Sequence, residues 1–397
     1  MISKKVAWFI FFVAFLLSVS GGYYFFSDSS LAFISPISNY KAPTANGLQP
    51  TEDPGEPKTE ECPLNGEMLG KSLKEKWVTR RPLGVAIENH VDARPQSGLS
   101  SADVVYEAVA EGGITRFLAV FYCKDAPYVG PVRSARVHFM KILRGYGSFP
   151  LYVHVGGANC DAETGSGCAN GAKADALGLI NKLGWGGYND MNQFSVPFPV
   201  FYRDPDRNPG VATEHTVYSS TSKLWDFAKN KRSLSNVDEE GTSWDKDFVM
   251  WKFKDDAEVG ERGTTAKITF PFWSNLESDF TVNWVYDKQS NMYKRINGGK
   301  PHVDKNTGKP IMSKNIVIMF ADEAPANDGY AGGHILYDLV GSGDALVFHD
   351  GKAIKATWTK PDEDTREVFK DESGKEISLV RGQTFVEILP TGNKVAY

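Results

Sequence analysis

The stretch from Asp103 to Arg136, DVVYEAVAEGGITRFLAVFYCKDAPYVGPVRSAR, constrains the fold more than any other part of the chain. Two apolar runs flank the Gly112-Gly113 turn. The second, Ile114 to Tyr122, reads as a strand; the first, Val104 to Val109, fits a strand or a short helix on periodicity alone. The Gly130-Pro131 turn then leads into a helix expected over Arg133 to Leu143, with Val137, Met140 and Leu143 on one face. Around this stretch lie strand-like runs at Leu83 to Ile87 and Leu151 to Val155, and helical patterns at Ala172 to Leu183 and Thr221 to Lys229. Strands alternating with helices predict a mixed α/β-type domain over residues 77–232.

After about Asn230 the pattern changes. Short β-like runs recur at Val249 to Phe253, Lys267 to Phe270, Val282 to Tyr286, Met292 to Ile296, Ile316 to Phe320, Ala345 to Phe348, Ile354 to Trp358 and Phe385 to Leu389, separated by Gly, Asn and Asp turns. His349-Asp350-Gly351-Lys352 reads as a tight hairpin. Residues 233–397 are therefore expected to form a mostly antiparallel β domain. The fold class is α+β, preceded by one N-terminal transmembrane helix.

That helix is read from Lys4 and Lys5 followed by an apolar run from Val6 to Phe26. About 20 apolar residues span the hydrocarbon core. Lysines ahead of the run place the N-terminus in the cytoplasm and the body outside, with the membrane as a partner. A cleaved signal peptide with Ser18-Val19-Ser20 as its small-residue site is the alternative. Residues 1–26 are taken as the anchor or signal and residues 27–76 as a disordered tether, because Pro43 to Glu61 is too polar and too rich in Pro and Gly to offset its ordering entropy. The four cysteines, Cys62, Cys123, Cys160 and Cys168, suit an exported protein with two disulfides. Cys160 and Cys168 flank the loop NCDAETGSGC and suit a local staple, which leaves Cys62 for Cys123; three connectivities are open in principle. The spacing lacks the close CxxC pairs of structural zinc sites.

A net charge of −5 argues against a nucleic-acid binder, which needs a basic face. From Arg81 onward, about four-fifths of the chain, the sequence resembles the YerB-like bacterial lipoprotein family, a domain of unknown function in N- and C-terminal parts. The resemblance rests on RPLGVAIENHVDARPQSGLSSADVVYEAVAEGGITRFLAVF, VGPVRSAR, LYVHVGG, NGGKPHVDKNTGK, GSGDALVFHDGKAIKATW and GKEISLVRGQTFVEI. It implies an envelope location and a paired domain architecture, and supplies no reaction. No cysteine follows the apolar run closely, so lipid attachment there has no acceptor. The chain also reads Glu214-His215-Thr216 where the family pattern has a Pro-His-Asn type segment, keeping the histidine.

The candidate chemistry centres on Arg133 and Arg136. Three residues apart at an expected helix start, they would share a face, and a guanidinium fork suits phosphate or carboxylate. The competing reading pairs them with Asp103, Glu107 or Glu111, since carboxylates inside apolar runs are costly to bury unpaired. Arg116, with Arg94 and Gln96, extends the cluster. His154, in a strand before Gly156-Gly157, and His215 are the histidines placed to bind or move a proton; a hydrogen-bonded structural role is the plainer reading of each. Asp103, Glu107 and His154 are a second-choice cation set. Ser134 is expected to cap the helix rather than act as a nucleophile. Aromatics from Trp185 to Tyr202 are read as loop residues packed on the sheet, and His302 and His349 as structural. The ligand-binding set is therefore Arg133, Arg136, Arg116, Asp103, Glu107, His154 and His215, with no metal, no cofactor and no catalytic residue assigned. The function expected is binding or scaffolding of an anionic cell-wall polymer or an envelope protein. The alternative is an envelope hydrolase or transferase on phosphorylated or peptidoglycan-type substrates.

Overall fold

The computed structural model describes residues 55–397. The expected anchor, residues 1–26, and residues 27–54 of the expected tether lie outside the described residues. Among the described residues no helix is long and apolar enough to cross a membrane.

The folded body begins earlier than Trp77. Strand β1 (Lys58–Glu61) pairs antiparallel with β2 (Met68–Gly70), and helix α1 (Lys71–Trp77) follows directly. A disordered tether reaching Lys76 is thus corrected. The segment is polar on average, but Cys62, Leu64, Leu69, Leu73 and Trp77 are buried in the core, and Cys62 is joined to Cys123. Spaced apolar residues and one covalent tie order a stretch whose mean composition reads as a linker.

The first half of the body then contributes β3 (Leu83–Glu88), β4 (Val104–Glu111), β5 (Ile114–Phe121), α2 (Val137–Leu143), β6 (Leu151–His154), α3 (Ala176–Lys182), β7 (Asp190–Asn192) and α4 (Thr221–Arg232). The second half contributes β8 (Lys267–Phe270), β9 (Val282–Asp287), β10 (Met292–Asn297), β11 (Asn315–Ala321), β12 (Gly341–His349), β13 (Lys352–Lys360), β14 (Val368–Asp371) and β15 (Thr384–Pro390). The architecture is mostly β, with short helices. Ten strands form one mixed sheet in the order β14-β13-β12-β11-β15-β4-β5-β3-β6-β7.

The join between the halves lies inside that sheet. β15 runs parallel to β11 on one side and to β4 on the other, with Thr384 opposite Val104 and Glu387 opposite Glu107. Residues 77–232 and 233–397 therefore share a sheet instead of each closing its own. The cause is legible in burial: every residue of β4 from Val104 to Ala110 is buried, as is β15 from Thr384 to Leu389. Such strands need neighbours on both edges and cover on both faces. A second, smaller antiparallel sheet carries β8, β9 and β10 with Lys300–Pro301 and Met312–Ser313.

The hairpin joining β12 to β13 closes as expected. His349 pairs with Lys352, and Asp350 and Gly351 hold φ of 51° and 67°, the left-handed pair that a two-residue hairpin turn requires. Of the aromatics after Gly184, Trp185, Phe201 and Tyr202 are buried, whereas Phe194 is 77% exposed.

Candidate functional site

The segment carrying Arg133 and Arg136 is not the helix start that the sequence suggests. Val132 bridges to Ile87, the Arg133 amide donates to the Ala86 carbonyl at 2.8 Å, and the Val155 amide donates to the Arg133 carbonyl at 3.1 Å. Ala135 bridges to Gly157. Residues 132–135 thus lie extended between the ends of β3 and β6, and α2 begins only at Val137. Arg136 is its N-cap, with φ −135° and ψ 144°, and no side chain caps the helix. Ser134 therefore does not fill the expected capping role. The backbone of this segment is committed to strands, so neither a helix dipole nor free helical amides contribute here.

Extended backbone sends the two arginines to different carboxylates. Arg133 Nε donates to Glu88 Oε1 at 3.0 Å, and the other oxygen of Glu88 takes His215 Nδ1 at 2.8 Å. Arg136 pairs with Glu111 and also donates to the Ala135 carbonyl at 2.8 Å. Arg116 reaches Glu111 at 3.4 Å and the Ser134 carbonyl at 3.2 Å. Burial pushes the Glu111 carboxyl up, but the Arg136 and Arg116 guanidiniums outweigh it and hold it at about 2. Burial, with Arg136 alongside, lowers Arg116 to about 10. Three guanidiniums face two carboxylates in this cluster.

A cleft of about 290 Å³ opens on it, lined by Glu111, Arg133, Ser134, Arg136, Tyr330 and His334 among others. Asn159, Asp161 and Ser166 form part of its rim, within or beside the loop closed by the Cys160–Cys168 disulfide. Across it, His334 Nδ1 meets Asp328 Oδ2 at 2.7 Å, and its ring stacks on Tyr330 at 4.1 Å. Arg136 is buried, whereas the Arg133 side chain is 27% exposed. The terminal Nη nitrogens of Arg133 have no hydrogen-bond partner among the described residues.

Three of the expected site residues lie elsewhere. Asp103 sits beneath the Cys62–Cys123 disulfide, accepting from the backbone amides of Tyr122 at 2.6 Å and Cys123 at 2.9 Å and from Asn65 at 3.1 Å. Burial raises its carboxyl to about 6. Glu107 lies fully buried under the second sheet, bonded to Asn89, Thr115 and Arg295. His154 spends both ring nitrogens, on the Gly156 carbonyl at 2.6 Å and on Asp190 at 2.5 Å. These three do not converge, so they form neither part of the cleft nor a joint cation set: Asp103 and Glu107 lie about 13 Å apart along an extended run, and His154 is on another strand with Asp190 as its partner. Arg94 binds Asn89 and the Asp279 carbonyl, and Gln96 binds His302 at 2.7 Å, both as structural ties. Reading the sequence missed Tyr330 and His334, which come from a Gly-rich loop with no local pattern. Glu88 had a weak signal, as a carboxylate closing an apolar strand.

The geometry defines a class first: a mostly β body whose two halves share one sheet, with an arginine-rich cleft at one end of the strands of the first half. The family model described as "Protein of unknown function (DUF3048) N-terminal domain" matches residues 69–235, and the corresponding C-terminal domain model matches residues 268–386. The chain is 30% identical over 328 residues to "Putative lipoprotein YerB" of Bacillus subtilis (strain 168), covering 82% of this chain and 86% of that protein. The crystal structure of Bacillus subtilis YerB aligns with a TM-score of 0.66 and 28% identity, covering 85% of this chain and 100% of that one. The chain belongs to this DUF3048 family, with both of its domains.

Proposed function

We propose that this chain is a membrane-associated protein with an extracytoplasmic body that binds an anionic group of an envelope polymer in the Arg133 cleft. The observation that carries the reading is the Arg133 side chain. Its Nε is anchored on Glu88, its terminal nitrogens have no partner among the described residues, and it lines a cleft beside Arg136 with Arg116 buried behind. An anchored guanidinium loses little freedom on binding and presents a fork to phosphate or carboxylate. The location is supported by the apolar run at the N-terminus, by two disulfides and by the lipoprotein name of the Bacillus relative. Asp103 and His154, the groups the sequence offers for proton transfer, lie outside the cleft with partners of their own, so binding is the first reading; the His334–Asp328 pair on the cleft wall is the group a hydrolytic reading would use.

Calorimetric titration of the full chain with phosphate-bearing wall polymer, and with the same polymer stripped of phosphate, tests this. Saturable heat with the first and none with the second is expected. Equal heats would remove the anion from the account.

A further inference from the structure

We propose that His90, Asp92 and His215 form a binding site for a divalent cation of the zinc class, distinct from the arginine cleft. One ligand atom from each residue can be chosen so that all lie within 4.8 Å of one another. The three arise from two places. His90 and Asp92 flank and occupy the short turn Val91–Ala93 that follows β3, and His215 closes the turn Thr213–His215.

His215 is the fixed member, 6% exposed, with its Nδ1 on Glu88 at 2.8 Å. A carboxylate on one ring nitrogen holds the proton there and leaves the other nitrogen bare, the outer arrangement that orients metal-ligating histidines and raises their basicity. Arg133 holds the second oxygen of Glu88 at 3.0 Å, so this support is itself braced. His90 and Asp92 are the more exposed members, with side chains 32% and 57% exposed; His90 Nδ1 lies 3.6 Å from Asp92 Oδ2 and accepts from the Asp92 amide at 3.3 Å, a bond that metal binding through Nδ1 would replace. Asn208 bonds the Asp92 carbonyl and pins the turn that carries them.

The donor set is two imidazoles and one carboxylate. That borderline combination suits zinc, with a fourth position left for water. Ligands at about 2.0–2.1 Å in a tetrahedron place neighbouring donors roughly 3.3 Å apart. The three must therefore draw in by at most about 1.5 Å, a movement that rotation of the His90 and Asp92 side chains supplies. One feature of the metal-free geometry must change. The His90 and His215 rings lie parallel, 7° apart in plane and 5.1 Å between centroids, which keeps their lone pairs in separate planes. A cation held by both turns His90 out of that stack.

The test uses the full chain, freed of metal with a chelator and titrated with Zn²⁺ by calorimetry, followed by X-ray absorption at the zinc edge. Uptake of one equivalent is expected, with a spectrum showing two imidazoles. His90→Ala and Asp92→Ala should each lower the affinity at least tenfold. Asp92 is exposed and His90 partly exposed on a three-residue turn, outside the strands and helices, so circular dichroism of these variants should match the parent. The proposal is overturned by an absence of saturable uptake, or by uptake that both substitutions leave unchanged. Neither result bears on the arginine cleft, which anion titration reports separately.

Discussion

Arg133 and His215 are bound to the same carboxylate. Glu88 takes Arg133 Nε on one oxygen at 3.0 Å and His215 Nδ1 on the other at 2.8 Å. The arrangement fixes Arg133 by its inner nitrogen and leaves its outer nitrogens for the cleft. It also distinguishes the two arginines, which lie three residues apart: Arg136 is buried against Glu111, and Arg133 is partly exposed and is the one proposed to meet a ligand.

Substitution should separate those roles. Arg133→Gln removes one bond from Glu88, a buried carboxylate that keeps His215 as a partner, and is expected to cost less stability than Arg136→Gln, while anion affinity falls at least tenfold. Arg136→Gln leaves the partly buried Glu111 with only the 3.4 Å contact to Arg116 and is expected to cost about 3 kcal/mol. Urea unfolding beside calorimetry reads both. Equal stability losses in the two variants would contradict the division.

Glu111 sets an acid limit. Its folded pKa of about 2 lies below its ordinary value of 4.5. Its contribution is therefore complete above pH 4.5 and is lost as pH falls through 2. Two and a half units correspond to roughly 3 kcal/mol. The stability gap between the parent and Glu111→Gln should shrink across that window; a gap that stays constant from pH 4.5 to 2 would exclude the effect.

Asp103 works in the opposite sense. Burial raises its carboxyl from 3.8 to about 6, so the folded state gains relative stability below pH 3.8 and loses it as pH rises through 6. Between pH 4 and 6 the parent should lose about 2 kcal/mol relative to Asp103→Asn, out of roughly 3 over the whole titration. Denaturant midpoints measured at half-unit steps check the sign, and a parent that gains on the variant over this range would refute it.

The register of β15 against β4 brings Glu107 and Glu387 side by side, and Arg295 pairs with Glu107 between them. Burial raises the Glu387 carboxyl well above its ordinary range, and the close partner of Arg295 is Glu107, with Glu387 at 4.0 Å. Glu387→Gln is expected to cost less than about 1 kcal/mol, near the net worth of one hydrogen bond. Arg295→Met strands a buried carboxylate and should cost about 3–5 kcal/mol. Thermal unfolding of the two variants distinguishes them, and a larger loss for Glu387→Gln would reverse the assignment.

Much of the sheet was legible, because β3, β4, β5, β11 and β15 are apolar runs bounded by turns, and that signal is local. The pairing of β4 with β15 was not, since it joins Val104 to Thr384 across the whole body. The start of α2 was misplaced for the same reason: residues 132–135 have backbone partners in β3 and beside β6, and nothing in VGPVRSAR announces them. The arginines were identifiable as a group by type and spacing, and Glu111, the partner of Arg136, was among the carboxylates named for them; Glu88, the partner of Arg133, was not. Glu88 and His215 meet across 127 residues, and the Tyr330–His334 wall of the cleft comes from a loop with no periodicity. Asp103, Glu107 and His154 drew attention as charged or titratable residues in apolar runs, and each turned out to satisfy its own neighbours.

The most direct test of the cleft is calorimetric titration of the full chain with phosphate-bearing wall polymer, run in parallel on Arg133→Gln and on Lys300→Gln, an exposed charge change far from Arg133 in sequence. The account predicts saturable binding by the parent and by Lys300→Gln, and at least tenfold weaker binding by a folded Arg133→Gln. Equal affinity in all three proteins would contradict it.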